Sequence, residues 1–530
     1  MRPTGALPRL CVTATGETPQ QLLDSARRGL QQTRMVELRL DWLPRPEEGL
    51  ALIPRLLETS GAAGRTARPV LQATCRRRPN GGKFRGSVAR QLAILERAAQ
   101  AGCRVLDLEM ESAEAAGPDA VANLRRSAEL ILSFHDFERT PPLEGAARRL
   151  LRFPADFYKI VPTATRQSDN CRALDFLRAA VAKDGAAGRW ICFCMGESGV
   201  PSRVLSLARG GDLLYAAAPG SAAAAPGQPD AETLQERYRV TQLGPQTAVY
   251  GLLGYPVGHS LGAAIHNAAF RSRGLDAVYL PLLCRDLQDF RKAAARYPLS
   301  GFSITIPHKQ AILPLVDRMD RAVRAAGAAN TVRVRKGRWE AINTDVEGIT
   351  TPLRETLRLG QDGVLPSSFR GVIVGNGGAA RAAAAALRSL RCRRVWVAGR
   401  NPARVRRLAR ETGAAPLSLQ QLAAHRFDLL IHATSVGMWP HSGDCLLQPE
   451  QVNAETVFDL VYNPLDTALL QIARQRGSRT IPGLEMFLAQ AARQFEFWTG
   501  QEAPRRLMRR VAAQEILSMI QTPLVPVRRK

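Results

Sequence analysis

The stretch that most constrains the fold is Gly371 to Arg381, GVIVGNGGAAR, in which a run of β-branched residues breaks into a cluster of glycines. This pattern is typical of a strand, a tight turn and the start of a helix. In a dinucleotide-binding unit Gly375 makes the turn, Gly377 and Gly378 let the main chain approach a pyrophosphate, and the helix dipole favours that charge. Glycine-rich turns also join strands to helices without any ligand, so the motif needs support.

The next strand provides that support. It covers Arg391 to Val397 and ends in Gly399, Arg400, Asn401 and Arg404. An NAD-binding unit usually carries an acidic residue there for the ribose 2′-hydroxyl, whereas arginines suit a 2′-phosphate. The pattern therefore predicts NADP. The alternative is that both arginines are ordinary solvated charges.

Size and composition indicate a soluble α/β protein of several domains. The chain has 530 residues, 45% of them hydrophobic and 6% aromatic, which suggests about three folding units. No apolar run approaches the roughly 20 residues of a membrane span, and the first residues lack the apolar core of a secretory signal. Nine cysteines without CxxC pairs fit reduced thiols better than disulfides or a zinc site. We therefore expect a cytoplasmic protein without a metal.

The net charge of +26 would ordinarily suggest a nucleic-acid partner. However, the positive charge is spread along the whole chain, without a basic RNA-binding signature. An arginine bias, with anionic small molecules as substrates, explains it better, although an RNA-associated protein is an alternative. Only seven residues are lysine, and lysine, unlike arginine, can lose its proton to act as a nucleophile or acid. Lys159 and Lys309, both at strand ends, are therefore candidates for catalysis.

Eight apolar runs alternate with helical stretches from Met1 to about Glu236. They are LCVTA, MVELRL, PVLQATC, RVLDLEM, ELILSF, DFYKIV, RWICFCM and DLLYAA. This alternation predicts a (β/α)8 barrel, whose active site faces the carboxyl ends of the strands. The polar residues at or after those ends are Glu37, Arg39, Asp41, Arg76, Asp107, Glu109, His135, Lys159 and Arg203.

The apolar neighbours of Lys159 would desolvate its amine and favour the neutral form, which can attack a carbonyl. His135 could then transfer a proton. Arg39, Arg76 and Arg203 could bind a carboxylate and hydroxyl groups. A salt-bridged barrel lysine and a packed loop histidine are the alternatives.

The strings VELRLDWL, ATCRRRPNGG, SFHDF, ADFYKI, MGESGVPSR and APGQ occur in this order. Together they resemble type I 3-dehydroquinate dehydratase over the whole first half. The resemblance implies that Lys159 forms a Schiff base with the substrate ketone, and that His135 removes the adjacent proton and helps expel water. It also implies that Arg203 binds the substrate carboxylate. The residues at hydroxyl-binding and supporting positions are then Glu37, Arg39, Arg76 and Gln228.

Two positions depart from that family. Asn80 stands where many members have a glutamate, and Ala224 where many have a serine. We expect altered affinity or loop closure more than lost chemistry. Ala224 falls in a segment, Gly220 to Asp230, whose composition resembles a mobile lid.

The second half again alternates strands and helices, beginning with AVYGLLG. Lys309 follows the strand in GFSITIPHK, and Asp345 lies in AINTDVEGI. A lysine and an aspartate from separate loops could hold a hydroxyl and exchange its proton. The alternative is turn chemistry, since Asn-Thr sequences are common in turns.

The strings GYPVGHSLGAAIHN, SITIPHK, GAANT, NTDVEG, GNGGAAR, ATSVGM, DLVYNP and GLEMFLAQAARQFEFWTG follow in order from Val249 to about Ile520. They resemble shikimate dehydrogenase. The resemblance implies that Lys309 and Asp345 are the catalytic pair. The implied substrate contacts are Ser260, Thr305, Asn330, Thr344, Tyr462 and Gln490. The implied cofactor positions are Gly375, Asn376, Gly377, Gly378, Ala379, Ala380, Arg400, Asn401, Arg404, Thr434, Gly483 and Met486.

This half also departs from its family at two positions. Gly262 replaces a serine that usually shares the substrate carboxylate, and His432 replaces an asparagine common before ATS. A lost hydroxyl would cost about 1–3 kcal/mol if nothing compensates. That loss could tilt preference from shikimate towards quinate.

We therefore expect an α/β chain in which a (β/α)8 barrel is fused to a two-domain dehydrogenase. The expected parts are the barrel 1–236, a linker 237–247, a substrate-binding domain 248–350, a Rossmann-type NADP domain 351–482, C-terminal helices 483–520 packing back on the substrate domain, and a tail 521–530. The resemblance implies a bifunctional enzyme that dehydrates 3-dehydroquinate and reduces 3-dehydroshikimate with NADPH. The alternative is a quinate dehydrogenase beside a degenerate barrel that serves as a scaffold.

Overall fold

A computed structural model describes residues 6–58, 68–184, 190–221, 224–257, 260–360 and 362–521. The chain divides into two compact units. The first comprises residues 1–258 and 276–299, and the second comprises residues 259–275 and 300–530.

The first unit contains an eight-stranded parallel sheet in the order β7-β6-β5-β4-β3-β2-β1-β8. Its strands are β1 Leu10–Ala14, β2 Met35–Arg39, β3 Val70–Thr74, β4 Val105–Glu109, β5 Glu129–His135, β6 Phe157–Val161, β7 Trp190–Cys192 and β8 Leu214–Ala217. Strand β1 pairs with both β2 and β8, so the sheet curls round on itself. Between β7 and β8 the amide of Asp212 donates to the carbonyl of Trp190 at 3.1 Å. The predicted barrel of eight strands is confirmed.

Helices separate most of these strands. They are α1 Pro19–Gln32, α2 Leu52–Leu57, α3 Val88–Gln100, α4 Met110–Ala116, α5 Pro118–Ser127, α6 Leu143–Leu150, α7 Gln167–Asp184 and α8 Val200–Leu205. Local sequence explains their starts: Thr18 caps α1 and Ser87 caps α3 by accepting from main-chain amides. Most residues of the strands are buried, which explains their nearly continuous apolar character.

After the barrel the chain forms β9 Ala248–Gly254, α9 Gly262–Ser272, β10 Ala277–Leu283 and α10 Leu287–Ala294. Of these, β9, β10 and α10 cluster with the barrel. Gln167, at the start of α7, donates from Nε2 to the carbonyl of Leu283 at 2.8 Å, and the amide of Ser168 donates to Asp289 Oδ2 at 3.1 Å. The barrel is therefore fixed to the β10–α10 segment through side chains.

The second unit begins with α9 and continues after residue 299. Its next elements are β11 Leu299–Ile304, α11 His308–Ala311, β12 Arg318–Met319, α12 Arg321–Ala326, β13 Thr331–Arg335, β14 Arg338–Ile342 and α13 Asp345–Thr356. Strand β13 pairs antiparallel with both β11 and β14, and β12 pairs parallel with β14. This arrangement places the ends of β11, β13 and β14 near the start of α13.

A parallel six-stranded sheet forms the rest of the second unit. Its elements are β15 Arg370–Val374, α14 Gly378–Ser389, β16 Arg394–Ala398, α15 Pro402–Thr412, β17 Ala415–Leu417, β18 Phe427–His432, β19 Ala454–Asp459, α16 Ala468–Gln475 and β20 Arg479–Ile481. The strand order is β17-β16-β15-β18-β19-β20. The predicted Rossmann-type sheet is confirmed. The order reverses between β15 and β18, and ligands of such sheets bind in the crevice at that point.

Two helices, α17 Gly483–Thr499 and α18 Arg505–Gln521, follow the sheet. Trp498 donates from Nε1 to the carbonyl of Val332 at 2.9 Å, and Ser303 donates to Gln494 Oε1 at 2.8 Å. Helix α17 therefore packs on β11 and β13. Residues 522–530, which include most of the expected tail, lie outside the described residues. No helix in the described part of the chain combines the length and apolarity needed to cross a bilayer.

We predict that Gln167→Leu destabilises the first unit. The substitution removes the donor to the buried carbonyl of Leu283, and an unsatisfied buried acceptor costs about 1–3 kcal/mol. A lower midpoint in a thermal or urea unfolding curve would measure this loss. Gln100→Leu, at an exposed position on α3, is the matched control and should leave the midpoint unchanged. Equal midpoints for both variants would contradict a stabilising role for the hydrogen bond from Gln167 to Leu283.

Candidate active sites

The barrel encloses one pocket at the carboxyl ends of its strands. About 480 Å³ of empty space, part of it open to solvent, lies among its lining residues. The lining includes seven of the predicted residues, namely Glu37, Arg39, Arg76, His135, Lys159, Arg203 and Gln228, but not Asp41, Asp107 or Glu109. The pocket therefore combines an amine, an imidazole and several other hydrogen-bonding groups.

Lys159 lies inside the barrel on β6, opposite Ser133 of β5. Its Nζ donates to Asp107 Oδ2 at 3.1 Å and lies 3.7 Å from the centre of the Tyr215 ring. Both contacts stabilise an ammonium ion. The surroundings of Lys159 are therefore buried but not apolar, unlike the expectation from its sequence neighbours.

Asp107 holds the centre of this site. Ser133 donates to its Oδ1 at 2.7 Å, and Arg76 Nη2 donates to the same oxygen at 2.9 Å. Burial acts to raise the pKa of Asp107, but the positive charges of Lys159 and Arg76 outweigh it and hold the pKa well below its ordinary value. Asp107 is therefore a permanent negative charge beside the amine.

His135 lies at the end of β5, where Arg76 Nη1 is 2.8 Å from its Nε2. Because a guanidinium can only donate, Nε2 must be the acceptor, which makes the imidazole neutral with its proton on Nδ1. Desolvation, followed by the positive charges of Arg76 and Lys159, lowers the pKa of His135 well below its ordinary value. The ring is therefore an unprotonated base.

Arg203 is a buried guanidinium without a carboxylate partner in the described part of the chain. Its Nη1 donates to the carbonyl of Tyr215 at 3.3 Å, and its guanidinium lies 4.4 Å from the centre of the Phe193 ring. Its Nε and Nη2 have no hydrogen-bond partner among the described residues. Burial lowers the pKa of Arg203 to about 10. These free donors on the pocket wall suit an anionic ligand group.

Two further side chains are already occupied. Glu37 accepts from the hydroxyls of Thr13 at 2.8 Å and Thr74 at 2.6 Å. Arg39 donates twice to Asp41, each time at 2.9 Å. Burial acts to lower the pKa of Arg39, but Asp41 outweighs it and raises that pKa. Both side chains are thereby held in fixed orientations at the pocket.

The expected lid reaches this pocket through Gln228. Its Nε2 donates to Thr13 at 3.3 Å, and its Oε1 accepts from the amide of Ala224 at 3.2 Å. Two residues of the expected lid, 222 and 223, lie outside the described residues. Gln228 therefore joins the segment after β8 to the hydrogen-bond network of Glu37.

The two departures in this half differ in position. Ala224 lines the pocket and contacts Gln228 only through its main chain. Asn80 donates from Nδ2 to Glu111 Oε2 at 2.8 Å, on the rim. Only Ala224 therefore changes the pocket wall itself.

The second candidate site surrounds Lys309 and Asp345. Lys309 Nζ donates to Asp345 Oδ2 at 2.6 Å, and Asn330 Nδ2 donates to Asp345 Oδ1 at 2.8 Å. The same amide group lies 3.0 Å from Thr344 Oγ1 and 3.3 Å from Gln490 Oε1. Five of the predicted residues thus form one hydrogen-bonded cluster.

The other predicted substrate contacts are not linked to this cluster by hydrogen bonds among the described residues. Ser260 accepts from the amide of Gly262 at 3.1 Å. Thr305 accepts through its carbonyl from His308 at 3.0 Å. Tyr462 packs on Phe487 with ring centres 4.9 Å apart, and burial raises the pKa of Tyr462.

The glycine turn after β15 has the geometry expected of a dinucleotide site. Gly375 has φ of +143°, and a Cβ there would lie 2.6 Å from the carbonyl oxygen of Ala433. Added Cβ atoms on Gly377 and Gly378 would meet nothing within 4 Å. Protein packing therefore explains Gly375, whereas the open space beside the other two leaves room for a ligand at the start of α14.

The remaining predicted cofactor positions vary in their surroundings. Arg400 and Arg404 are exposed, and neither side chain pairs with a carboxylate among the described residues. Asn401 caps α15 by accepting from the amide of Arg404 at 3.1 Å. Gly483 approaches the carbonyl of Val461, and Met486 lies in the hydrophobic core. The two arginines are thus free to bind an anion, while Asn401 and Met486 also have structural roles.

Sequence reasoning missed several residues of these sites. Asp107 was noted at a strand end, but its pairing with Lys159 was not predicted. Tyr215 and Phe193 also line the barrel pocket, and alternation within β8 could have indicated that Tyr215 points inwards. Asp459, which binds His432 through an oxygen 2.8 Å from Nδ1, was likewise not predicted.

Family models match most of the chain. The type I 3-dehydroquinase model matches residues 10–245. The shikimate dehydrogenase substrate-binding domain matches residues 252–332, and the shikimate/quinate 5-dehydrogenase model matches 366–440. The shikimate 5′-dehydrogenase C-terminal domain matches residues 483–512.

Known proteins are similar over one half or over nearly all of the chain. A shikimate dehydrogenase (NADP+) of Methanopyrus kandleri is 38% identical and covers 51% of this chain and 97% of that protein. A solved structure of shikimate 5-dehydrogenase from Thermus thermophilus, in complex with NADP(H) and shikimate, is 32% identical with a TM-score of 0.46, covering 51% of this chain and 99% of that one.

A chloroplastic bifunctional 3-dehydroquinate dehydratase/shikimate dehydrogenase of Arabidopsis thaliana is 33% identical over 491 residues. The matched region covers 89% of this chain and 79% of the relative. With both catalytic halves matched in one order, this chain belongs to the family of bifunctional 3-dehydroquinate dehydratase/shikimate dehydrogenases.

Proposed function

We propose that the barrel dehydrates 3-dehydroquinate to 3-dehydroshikimate through a Schiff base on Lys159, and that the second half reduces this product to shikimate with NADPH. The observation that carries the proposal is the barrel pocket. Its walls hold a buried lysine, a neutral histidine and a guanidinium with free donors. A keto acid needs those three functions for dehydration through an iminium ion.

In the barrel, Lys159 loses its proton and attacks the ketone, and water leaves as the iminium forms. The iminium keeps a positive charge where the ammonium was, so Asp107 stabilises both states. His135 takes the proton from the carbon next to the iminium and returns a proton to the departing hydroxyl group. Arg203 binds the substrate carboxylate with its free Nε and Nη2 donors.

In the second half, the ammonium of Lys309 donates to the oxygen of the reacting carbonyl group, and Asp345 accepts from the same ammonium. Asp345 keeps the ammonium of Lys309 in place across 2.6 Å, and Lys309 gives the proton that the new hydroxyl needs. NADPH, when bound, supplies the hydride. Asn330 donates to Asp345 Oδ1 and thereby orients the carboxylate. Asp345 Oδ2 accepts from Lys309.

The residues around β15 fit NADP. The open space at Gly377 and Gly378 admits a pyrophosphate against the start of α14. Arg400 and Arg404 follow β16 and are the groups that we propose to bind the 2′-phosphate. The remaining proposed cofactor positions are Gly375, Asn376, Ala379, Ala380, Asn401, Thr434, Gly483 and Met486.

A quinate dehydrogenase beside a degenerate barrel is not favoured. A scaffold would not need the complete polar set around Lys159, since unused buried charges destabilise a fold.

The domain division at 237–247 is also part of the proposal, as are small carboxylates rather than nucleic acid as partners. A cytoplasmic location fits the nine free cysteines, which a reducing compartment preserves.

Trapping with borohydride tests the barrel chemistry. We expect sodium borohydride, added with 3-dehydroquinate, to reduce the iminium to a stable secondary amine on Lys159, detected as a mass increase of that peptide. Lys159→Met should show no adduct and should lower kcat on the order of 10³-fold or more. Lys183→Met, at an exposed position on α7, should be labelled like the parent. Label on a lysine other than Lys159 would refute the assignment.

The pH dependence of the dehydratase tests the state of His135. Because its pKa is lowered, the base stays unprotonated below pH 6.5, and kcat/KM should fall only when the pH drops through the lowered value. Arg76→Met removes one cause of that shift, so the acid limb should move to higher pH. Arg78→Met, at an exposed neighbouring position, should leave the limb in place. An unmoved limb in Arg76→Met would mean that Arg76 does not tune His135.

Turnover of shikimate and quinate with NADP and NAD tests the second half. We expect shikimate with NADP to give the highest kcat/KM. Arg400→Ala and Arg404→Ala should each raise KM for NADP by about tenfold, through loss of a charged contact, and leave KM for NAD unchanged. Arg406→Ala, also exposed on α15, is the control. Faster turnover of quinate with NAD would favour the alternative.

A further inference from the structure

We propose that His432 and Asp459 form a buried pair that positions the hydroxyl of Thr434 to accept a hydrogen bond from the bound dinucleotide. The inference rests on the proposed cofactor and extends it to a histidine that the resemblance left as an unexplained departure. His432 is the positioning residue, and Thr434 is the group that contacts the ligand.

His432 lies beside the proposed cofactor turn. His432 is the last residue of β18 and lies in register between Val374 of β15 and Asp459 of β19. Gly375, which makes the proposed cofactor turn, directly follows Val374. The strand order reverses between β15 and β18, so these residues border the crevice where such sheets bind ligands.

The contacts of His432 are complete. Its side chain is buried, with Nδ1 2.8 Å from Asp459 Oδ1 and Nε2 2.5 Å from Thr434 Oγ1. Asp459 also accepts from the amide of Val461 at 3.1 Å and from the hydroxyl of Thr467 at 2.6 Å. Thr467 in turn caps α16. The carboxylate is therefore held rigidly by a strand end and a helix start.

With an ionised Asp459 and a neutral His432, each proton in this arrangement has one direction. An ionised aspartate only accepts, so the imidazole donates from Nδ1 to Asp459. In the neutral ring Nε2 is then an acceptor, and the hydroxyl of Thr434 donates to it. Thr434 Oγ1 already accepts from the amide of Val436 at 3.2 Å. One lone pair of the oxygen remains, and it can accept only from a donor such as a ribose hydroxyl or a carboxamide N–H.

Thr434 can reach such a donor. It is partly exposed, whereas His432 behind it is buried. The carbonyl of the preceding residue, Ala433, lies directly against Gly375. The hydroxyl is thus on the crevice side of the sheet, beside the glycine turn.

Titration of the full-length enzyme with NADPH, followed by nucleotide fluorescence, tests the proposal without turnover. We expect Thr434→Val and His432→Phe each to raise Kd about tenfold, since each removes the same oriented hydrogen bond. The double variant should be no weaker than either single variant. KM for NADPH should rise in parallel while kcat changes little, because the contact is made in binding.

Two conservative variants separate positioning from packing. A glutamine side chain reaches the position of Nε2 and can accept from Thr434, whereas asparagine reaches only the position of Nδ1. His432→Gln should therefore keep Kd near that of the parent, and His432→Asn should weaken binding like His432→Phe. His425→Phe, an exposed position before β18, is the matched control and should bind normally.

The outcomes are distinguishable. A circular dichroism spectrum and an unfolding midpoint like those of the parent show that a variant is folded, and the glutamine and asparagine variants keep the test valid if phenylalanine does not fold. Normal NADPH binding by Thr434→Val, or additive losses in the double variant, would overturn the positioning role of His432 and Asp459. The proposed cofactor would not be affected. Failure of the parent enzyme to bind NADPH would overturn the proposed cofactor and this inference with it.

Discussion

Pairing of buried charges is the constraint on which the barrel site depends. The side chains of Lys159 and Asp107 are 5% and 0% exposed, and the transfer of each ion from water costs several kcal/mol. Hydrogen bonds from Ser133 and Arg76 to Asp107 offset part of this cost. Apolar residues of similar volume would stabilise a barrel at least as well. Stability therefore does not explain the pair, whereas the proposed chemistry on the amine does.

The second site applies the same pairing in a wetter setting. Lys309 is one third exposed in its side chain, while Asp345 is nearly buried. Neutral groups of Asn330 and Gln490 surround this pair instead of further charges. Water screens the pair more strongly, so its lysine can exchange a proton with a bound oxygen at lower cost than a fully buried ion would. In the proposed mechanism the barrel site holds a covalent intermediate, whereas this site needs only to hold and protonate its substrate.

The sequence predicted the (β/α)8 barrel and the Rossmann-type domain because apolar runs and glycine turns are local patterns. It did not predict which charges would meet. Lys159 and Asp107 are 52 residues apart, and His432 and Asp459 are 27 apart. Their pairing depends on the register of neighbouring strands, which no local pattern specifies. The same limit applies to residues 276–299, whose docking on the barrel through Gln167 is a long-range contact.

Two arginines of the barrel pocket differ in their partners, which composition does not predict. In an arginine-rich sequence Arg39 and Arg203 are alike, and both line the pocket. Asp41 occupies the first with two hydrogen bonds and raises its pKa. Arg203 has no such partner among the described residues, and burial lowers its pKa to about 10. A buried cation without an anion carries a desolvation cost that an anionic ligand would offset. The free guanidinium is thus the pocket group that the proposed function assigns to the substrate carboxylate, while Arg39 is already held by Asp41.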